Sequence, residues 1–335
     1  MSNVTATVFG ATGFLGRYVV NNLGKRGSTV VTPYRGSDDE RRHLRVMGDL
    51  GQIVQVRFDL RNEDQIVESL KHSDVVYNLV GRHYTTKNFD FHKVHVEGSR
   101  TLARLARENG VSQFIHVSAL NASEDSPSQF LRTKALGEKA VLDEFPSATI
   151  VRPSTLYGHE DKFWNRIGWF AKWIPGSYVP LYNGGLTRLR PVYVGDVAEV
   201  LSRLATNADV GGRVIELYGP REYYYRSLVD MFQGIILREK NTLPIPRRIA
   251  KIIATVWDKL LVYPIISPDE VERLCIDDNP SKDKSVLTFR DLGVNPHTVE
   301  ETVQRFAIMY RPGELANAPF VPIQNKYTTQ HIKLE

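Results

Sequence analysis

The sequence predicts an α/β fold in which helices cover both faces of a parallel sheet. Three observations indicate it: short apolar runs rich in Val and Ile, helix-like stretches between those runs, and a glycine-rich turn after the first run. Continuous apolar runs are typical of strands that are buried on both faces. Their alternation with helical patterns is typical of a doubly wound parallel sheet. We therefore expect such a sheet, followed by a smaller, mixed and mainly helical C-terminal region.

Six strands and four helices are predicted in the first half of the chain. The strands cover residues 4–9, 29–33, 53–58, 75–79, 113–118 and 149–152, and the helices cover 15–25, 64–70, 98–109 and 130–144. A further strand–helix pair is predicted at 190–204. The alternation weakens after residue 153, with an aromatic and basic stretch at 162–173 and many prolines after 244.

The first predicted strand leads into a glycine-rich turn, Gly10-Ala-Thr-Gly13-Phe-Leu-Gly16. Gly10 allows the tight turn, Gly13 lets the backbone approach a pyrophosphate, and Gly16 lets the helix pack closely on the strand. The free amides at the helix N-terminus then meet the anion. We expect a dinucleotide to bind at Gly10, Thr12, Gly13, Phe14, Leu15, Gly16 and Arg17. A glycine-rich turn without a ligand is the alternative.

The glycine turn sets the expected division of the chain. Residues 1–160 are expected to form a Rossmann-type dinucleotide-binding domain, to which residues 188–216 return. Residues 161–187 and 217–335 are expected to form a smaller interaction region. This region ends in a tail that is rich in proline and polar residues.

Two arginines indicate which nucleotide binds. An acidic residue about 20 positions after the turn would bind the ribose 2′-hydroxyl of NADH, whereas an arginine suits the 2′-phosphate of NADPH. Arg35 follows the second predicted strand and Arg17 follows the glycine turn. We therefore expect NADPH, with two solvated surface charges as the alternative.

The GxxGxxG spacing of the turn resembles that of the short-chain dehydrogenase/reductase superfamily, particularly its extended and atypical branches. Further segments match in the expected order between residues 4 and 200. The resemblance implies a set of additional cofactor contacts. They are Asp59 and Leu60 near the adenine, Asn78, Val80 and Gly81 near the adenine ribose, and Pro153 and Tyr157 near the nicotinamide.

The catalytic group of that superfamily is incomplete in this sequence. The resemblance implies a tyrosine that transfers the proton, a lysine four residues later that lowers the tyrosine pKa, and a serine that polarises the carbonyl. Ser118 and Lys134 match and are expected to hold the cofactor, but Phe130 stands where the tyrosine is expected. Loss of a general acid costs about 10²–10⁴-fold in rate. We therefore expect no catalytic residue and a tightly held, structural NADPH; an active reductase or epimerase with a displaced proton donor is the alternative.

Composition excludes several other classes of protein. The 335 residues carry a net charge of +5, which is too mild to demand nucleic acid. The single cysteine rules out zinc fingers and thiolate-held clusters, and we expect no metal. No transmembrane helix is predicted. The early first strand leaves no room for a targeting peptide, so we expect either a cytoplasmic protein or one whose presequence has been removed.

Residues 247–262 form a predicted amphipathic helix with a basic polar face. One interpretation is an ordinary helix whose apolar face packs in the core. The other is a helix that lies on an anionic membrane surface or on a large complex.

The cofactor motifs, Phe130 and the basic, aromatic second region together resemble the NADPH-containing accessory subunits of mitochondrial respiratory complex I (NADH:ubiquinone oxidoreductase). The segments that carry the resemblance are residues 9–17, 78–81 and 118–122. It implies partnership with other complex I subunits and a peripheral position on the matrix side of the inner membrane. It also implies a role in the assembly or stability of the quinone-binding region.

Overall fold

The structure, a computed structural model, describes residues 4–86, 88–173, 178–207, 210–238, 241–260 and 266–319. The chain divides into two compact units. The first contains the described residues of Met1–Pro153, Val194–Leu217 and Pro280–Asn295, and the second contains those of Ser154–Tyr193, Tyr218–Asn279 and Pro296–Glu335.

The first unit is an α/β unit whose strands and helices alternate along the chain. Its strands are β1 (Thr5–Phe9), β2 (Thr29–Tyr34), β3 (Ile53–Arg57), β4 (Val75–Asn78), β5 (Gln113–Val117), β6 (Thr149–Pro153) and, later in the chain, β11 (Val214–Leu217). Its helices are α1 (Phe14–Lys25), α2 (Asp38–Arg42), α3 (Glu63–Leu70), α4 (Gly98–Glu108), α5 (Gln129–Glu144) and α7 (Val194–Leu204). A π-helical turn at Lys93–Glu97 leads directly into α4.

The described strands of this unit form one seven-stranded parallel sheet in the order β11-β6-β5-β4-β1-β2-β3. The order reverses between β1 and β4, because the chain moves outward to one side from β1 to β3 and to the other side from β4. In such a sheet, ligands bind outside the carboxyl ends of the strands at the reversal. This Rossmann-type fold confirms the predicted fold class and the six predicted strands.

Apolar strand residues explain why the sheet forms. Val8 on β1, Val30 on β2 and Val76 on β4 are fully buried, as are Val19 and Val20 on α1. Complete burial of such a side chain stabilises the fold by about 1.5–3 kcal/mol. Because both faces of the sheet are covered, the strands appear as continuous apolar runs in the sequence.

A late segment of the chain returns to the first unit. Leu287 forms a parallel bridge with Ile215 of β11. The amide of Ser281 donates to Oε2 of Glu216, 2.7 Å away, and the Arg203 guanidinium donates to the carbonyl oxygen of Gly293, 2.9 Å away. Residues 280–295 therefore complete the β11 edge of the sheet.

The second unit combines short strands with helices. Its strands are β7 (Leu156–Tyr157), β8 (Tyr178–Tyr182), β9 (Arg188–Leu189), β10 (Val192–Tyr193), β12 (Tyr223–Tyr224) and β13 (Asn241–Ile245). Its helices are α6 (Phe163–Trp173), α8 (Tyr225–Ile236), α9 (Arg247–Leu260), α10 (Pro268–Arg273), α11 (Val299–Thr302) and α12 (Gln304–Ala307). The strands pair as β10 with β7, β12 with β9 and β13 with β8. Trp164 and Phe232 stack in the core of this unit, with ring centres 5.2 Å apart.

The division of the chain differs from the predicted boundaries mainly in three segments, besides a one-residue shift at Leu217. Residues 154–160 and 188–193 belong to the second unit, because β7 pairs with β10 there. Residues 280–295 belong to the first unit. Most of the predicted tail, residues 320–335, lies outside the described part of the chain.

The apolar face of α9 is not in the core. Only Ala250 and Ala254 of this helix are buried, whereas its isoleucines are exposed. The interpretation of residues 247–262 as an ordinary core-facing helix is therefore wrong for the described part, which ends at Leu260. Among the described residues, no helix is both long enough and apolar enough to span a bilayer.

Candidate functional site

The glycine turn lies between β1 and α1, beside the point where the strand order reverses. Gly10 has a φ of +88°, and the amide of Gly13 donates to its carbonyl oxygen, 3.0 Å away. A Cβ on Gly10 would lie 2.9 Å from the carbonyl carbon of Leu79, and one on Gly16 would lie 2.2 Å from the carbonyl oxygen of Gly10. The turn therefore requires glycine at both positions.

The N-terminus of α1 is open to an anion. Gly13 is exposed and occupies the N-cap position, where no side chain accepts a hydrogen bond from the helix. The first amides of an α-helix have no acceptor within the helix, and its dipole favours negative charge there. Thr12, Phe14 and Leu15 lie in this turn with the glycines. A phosphate group fits such a cradle.

Positive charge lies beyond the end of β2. Arg35 is exposed, and its guanidinium carbon lies 5.3 Å from the centre of the Phe89 ring. The guanidinium carbon of Arg61 lies 5.2 Å from the same ring. Arg17 lies at the start of α1, where its guanidinium is 3.5 Å from the carbonyl oxygen of Thr12.

Asp59, just after β3, is paired with one of these arginines. Arg61 donates to both of its carboxylate oxygens at 3.1 Å, and these hydrogen bonds hold the pKa of Asp59 below its usual value. The adjacent Leu60 packs against Gly98 at the start of α4. Arg35, Arg61 and Asp59 together carry a net charge of +1.

The carboxylate of Glu40 also lies at this end of the sheet, near Gly36. A Cβ on Gly36 would collide with the carboxylate of Glu40. Because Glu40 is exposed, its flexible side chain can turn into solvent when another anion occupies the space.

The Asn78 side chain shapes the chain at the end of β4. Its Oδ1 accepts from the amide of Val80, 3.2 Å away, and its Nδ2 lies 3.1 Å from both Ser99 Oγ and His116 Nδ1. Since an amide NH₂ group only donates, His116 Nδ1 accepts and the ring proton lies on Nε2. Burial, together with the nearby Lys134 cation, lowers the pKa of His116 to about 3, so the ring is neutral at pH 7.

Lys134 and Ser118 lie together at the carboxyl end of β5. The Nζ of Lys134 donates to the carbonyl oxygen of Val117, 2.9 Å away, and a Cβ on Gly81 would lie 3.5 Å from the same Nζ. Burial lowers the pKa of Lys134 to about 8, against the raising effect of Glu138. Ser118 is buried, and its Oγ has no hydrogen-bond partner among the described residues. This hydroxyl is therefore available to a ligand.

An aromatic cluster surrounds Phe130, at the position where the resemblance puts a proton-donating tyrosine. The Phe130 ring stacks on His83 with ring centres 5.7 Å apart, and it meets His95 and Phe91 edge-on at 5.1 and 6.0 Å. The Nε2 of His95 accepts from the amide of Arg82, so its Nδ1 carries the proton and donates to Thr133 Oγ1, 2.9 Å away. A phenyl ring offers no proton at the position one turn before Lys134.

Pro153 and Tyr157, the two residues expected near the nicotinamide, belong to different units. Pro153 ends β6 in the first unit, where its carbonyl oxygen accepts from the amide of Leu120. Tyr157 belongs to the second unit and is fully buried there against Trp164 and Phe306. Its hydroxyl lies 2.8 Å from Thr302 Oγ1.

The first unit therefore brings together most of the predicted site. The glycine turn, Arg17, Arg35, Asp59, Asn78, Gly81, Ser118 and Lys134 all follow or neighbour the carboxyl ends of its strands. The sequence did not indicate that Arg61 and Phe89 belong to this site. The position of Arg61 two residues after Asp59 is the one signal that could have indicated the ion pair between them. Over the described ranges, no three His, Cys, Asp or Glu side chains are grouped to hold a metal.

This geometry defines a Rossmann-type protein of the extended short-chain dehydrogenase/reductase class. Solved structures share the fold. One is the triphenylmethane reductase of Citrobacter sp. complexed with NADP(H), at a TM-score of 0.69 and 15% identity over 90% of this chain and 99% of the other. Another is UDP-N-acetylglucosamine 4-epimerase of Bacillus cereus, at a TM-score of 0.65 and 15% identity over 92% of this chain and 100% of the other.

Relatives that are similar in sequence identify a narrower family. The chain is 42% identical over 94% of its length to the mitochondrial NADH-ubiquinone oxidoreductase 40 kDa subunit of Neurospora crassa, covering 82% of that protein. It is 43% identical over 90% of its length to the mitochondrial NADH dehydrogenase (ubiquinone) 1 alpha subcomplex subunit 9 of Rattus norvegicus, covering 78% of that protein. The chain belongs to the NAD dependent epimerase/dehydratase family, which it matches over residues 6–217, and within it to the family of these complex I subunits.

Proposed function

We propose that this protein is a non-catalytic, NADPH-binding accessory subunit of mitochondrial complex I. The dinucleotide stabilises the first unit and takes no part in turnover. The observation that carries this proposal is the replacement of the proton donor by Phe130, within a site that keeps Ser118 and Lys134 in place.

The described residues fit a nicotinamide dinucleotide. The backbone at Gly10, Gly13 and Gly16 and the uncapped start of α1 suit its pyrophosphate. Asp59, Leu60, Asn78, Val80 and Gly81 lie where the resemblance to the superfamily puts the adenosine contacts. The unsatisfied Oγ of Ser118 and the buried Nζ of Lys134 are polar groups that a ligand would satisfy. When bound, NADPH would supply a hydride donor.

The charges beyond β2 favour NADPH over NADH. Asp59 is already paired with Arg61, which leaves the cation of Arg35 for a 2′-phosphate. A charge-assisted hydrogen bond contributes about 1.5–3 kcal/mol. Arg17 contributes a second cation at the start of α1. No acidic residue follows β2 in the position that would select the 2′-hydroxyl of NADH, and Glu40 is able to move aside.

A non-reacting cofactor still has a physical role. A ligand that binds only the folded state stabilises it by about 2.7 kcal/mol when its concentration is 100 times the dissociation constant. Stabilisation of the first unit supports the expected role of the subunit in the assembly or stability of the quinone-binding region, at the matrix-side surface of the inner membrane.

The test is a measurement of bound nucleotide and its reactivity. The purified full chain is expected to carry reduced NADPH, identified by chromatography after denaturation and by its near-ultraviolet absorbance. Added aldehydes and ketones should not accelerate its oxidation. Turnover at ordinary enzyme rates would refute the proposal and favour an active reductase or epimerase with a displaced donor.

Partnership with other complex I subunits has its own test. The relatives at 42–43% identity are named as subunits of that complex, so we expect the tagged chain to co-purify from mitochondrial membranes with a megadalton assembly. Recovery of the chain only as a free protein would contradict the accessory-subunit proposal, whatever its nucleotide content.

A further inference from the structure

Helix α9 of the second unit carries an exposed apolar stripe. Five aliphatic side chains on it are between 42 and 76% exposed: Ile249, Ile252, Ile253, Val256 and Leu260. They recur at helical spacing and therefore lie on one face. Of the fifteen large exposed apolar residues in the described part of the chain, five are in this one helix.

The fold does not need this stripe in order to hold the helix. A different face of α9 packs in the core through Ala250 and Ala254. Glu272 of α10, which is buried, receives hydrogen bonds from Arg247 and from Lys251, the latter at 2.8 Å. Packing and ion pairs therefore fix α9 on one side and leave the aliphatic residues facing outward.

Uncompensated positive charge flanks the stripe. At 100° per residue, Arg248 and Lys259 lie on the side of the stripe opposite Ala250 and Ala254. Both are exposed, and no acidic side chain in the described ranges forms an ion pair with either. Arg247 and Lys251 differ from them, because both pair with the carboxylate of Glu272. The outward surface of α9 therefore combines aliphatic area with two available cations.

The helix is too short to cross a bilayer. Its 14 residues extend about 21 Å, against about 30 Å of hydrocarbon. An amphipathic helix of this kind lies in the plane of the membrane interface, with its apolar side in the boundary between headgroups and acyl chains.

We propose that α9 docks on a bilayer surface that contains anionic phospholipids. The aliphatic stripe enters the acyl boundary, and Arg248 and Lys259 meet the lipid phosphates. Protein interfaces are enriched in aromatic residues, Met and Arg. The exposed stripe instead holds only Ile, Val and Leu, which favours lipid over a partner protein. This surface does not depend on the nucleotide site.

The test is vesicle flotation of the full chain. The protein is expected to float with phosphatidylcholine vesicles that contain phosphatidylglycerol and to float poorly with vesicles of phosphatidylcholine alone. High salt should dissociate it from the anionic vesicles. Arg248→Gln and Lys259→Gln should each weaken binding about fivefold, the factor for a basic residue near an anionic surface. Ile252→Asp should weaken vesicle binding about tenfold or more. The substitution removes apolar area that the bilayer would bury, and it adds a negative charge that anionic lipids repel.

Matched controls separate docking from a general change of surface. Leu50→Asp removes an exposed leucine of the first unit, and Lys284→Gln removes an exposed lysine there, so neither should change flotation. Equal binding to neutral vesicles, or equal effects of Ile252→Asp and Leu50→Asp, would overturn the proposal. Loss of the megadalton assembly in Ile252→Asp without any vesicle binding would overturn it in favour of a protein interface. Nucleotide content, measured in the same samples, reports separately on the proposed function.

Discussion

The Nζ of Lys134 lies 6.0 Å from the centre of the Phe130 ring, one helical turn away on α5. The two side chains have the spacing that pairs a lysine with a proton-donating tyrosine in the superfamily that the sequence resembles. Here the cation instead lies near an aromatic ring and donates to the carbonyl oxygen of Val117. The lysine therefore lies at the end of β5 with no tyrosine hydroxyl one turn before it on α5.

Restoring that hydroxyl should restore some chemistry. Phe130→Tyr adds a phenol one turn from Lys134, whose cation would favour ionisation of the phenol. A positioned general acid contributes about 10²–10⁴-fold. We expect small aldehydes to oxidise bound NADPH at a measurable rate in Phe130→Tyr and only at background rate in the unaltered chain. The loss of near-ultraviolet absorbance measures this rate.

Phe130→Leu is the control for this experiment. It opens the aromatic cluster without adding a donor, so any rise that it shares with Phe130→Tyr reflects access to the nicotinamide. Rapid aldehyde-dependent oxidation by the unaltered chain would show that another group supplies the proton.

Exchange of Arg35 for an acid should change nucleotide choice. Arg35→Asp is expected to weaken NADPH binding about 10–100-fold, because it replaces a charge-assisted hydrogen bond with repulsion, and to leave NADH binding nearly unchanged. Titration calorimetry with both nucleotides measures the difference. Arg100→Asp, at an exposed position on α4, makes the same change of charge elsewhere and should affect both nucleotides little. Equal losses for both nucleotides with Arg35→Asp would show that Arg35 does not contact the 2′-phosphate.

Two glycine-to-alanine changes should have opposite effects on stability. Gly16→Ala places a methyl group 2.2 Å from the carbonyl oxygen of Gly10, and overpacking of this kind costs about 1–3 kcal/mol of unfolding free energy. Gly234→Ala, within α8, meets no atom within 4 Å and should stabilise the protein by about 0.5–1 kcal/mol. Denaturant melts measure both changes. Equal destabilisation by the two variants would contradict this account of the turn.

His116 should contribute to acid unfolding. Its pKa is about 3 in the folded protein against 6.5 for an ordinary histidine, so between these values the unfolded state binds a proton that the folded state does not. Stability therefore falls as pH decreases from 6.5 towards 3, by about 1.4 kcal/mol per pH unit from this group.

A substitution isolates that contribution. His116→Gln should flatten the decrease in unfolding free energy below pH 6.5, even where it lowers stability at pH 7. His72→Gln, at an exposed position of the first unit, is the matched substitution for comparison. Parallel pH profiles for His116→Gln and the unaltered chain would show that His116 is not the group responsible.

Patterns among neighbouring residues in the sequence predicted the strands whose burial is visible in their own composition. The six strands were identifiable because burial on both faces makes each one a continuous apolar run. The strand β11 was missed, since its four residues include Glu216. That carboxylate is buried because Arg152 lies 3.6 Å away and the amide of Ser281 donates to it. Both partners are distant in sequence.

The same distinction applies to the site. The glycine turn and the spacing of Phe130 and Lys134 could be identified because each lies within one turn or one helix. The rings around Phe130 could not, because His83, Phe91 and His95 reach α5 from a loop and a π-helical turn more than thirty residues earlier. Likewise, no local pattern indicates that the Phe89 ring lies near the guanidinium groups of both Arg35 and Arg61.

The return of residues 280–295 to β11 affects the order in which the protein can mature during translation. The nascent first unit has six strands once residue 153 has emerged, yet its outermost strand needs residues 214–217 and the bridge from Leu287. Most of the second unit is therefore synthesised before the β11 edge of the sheet is complete. Domains generally fold as units during synthesis, but here neither unit is contiguous, so cleavage between the units in sequence would not yield two independent folding fragments.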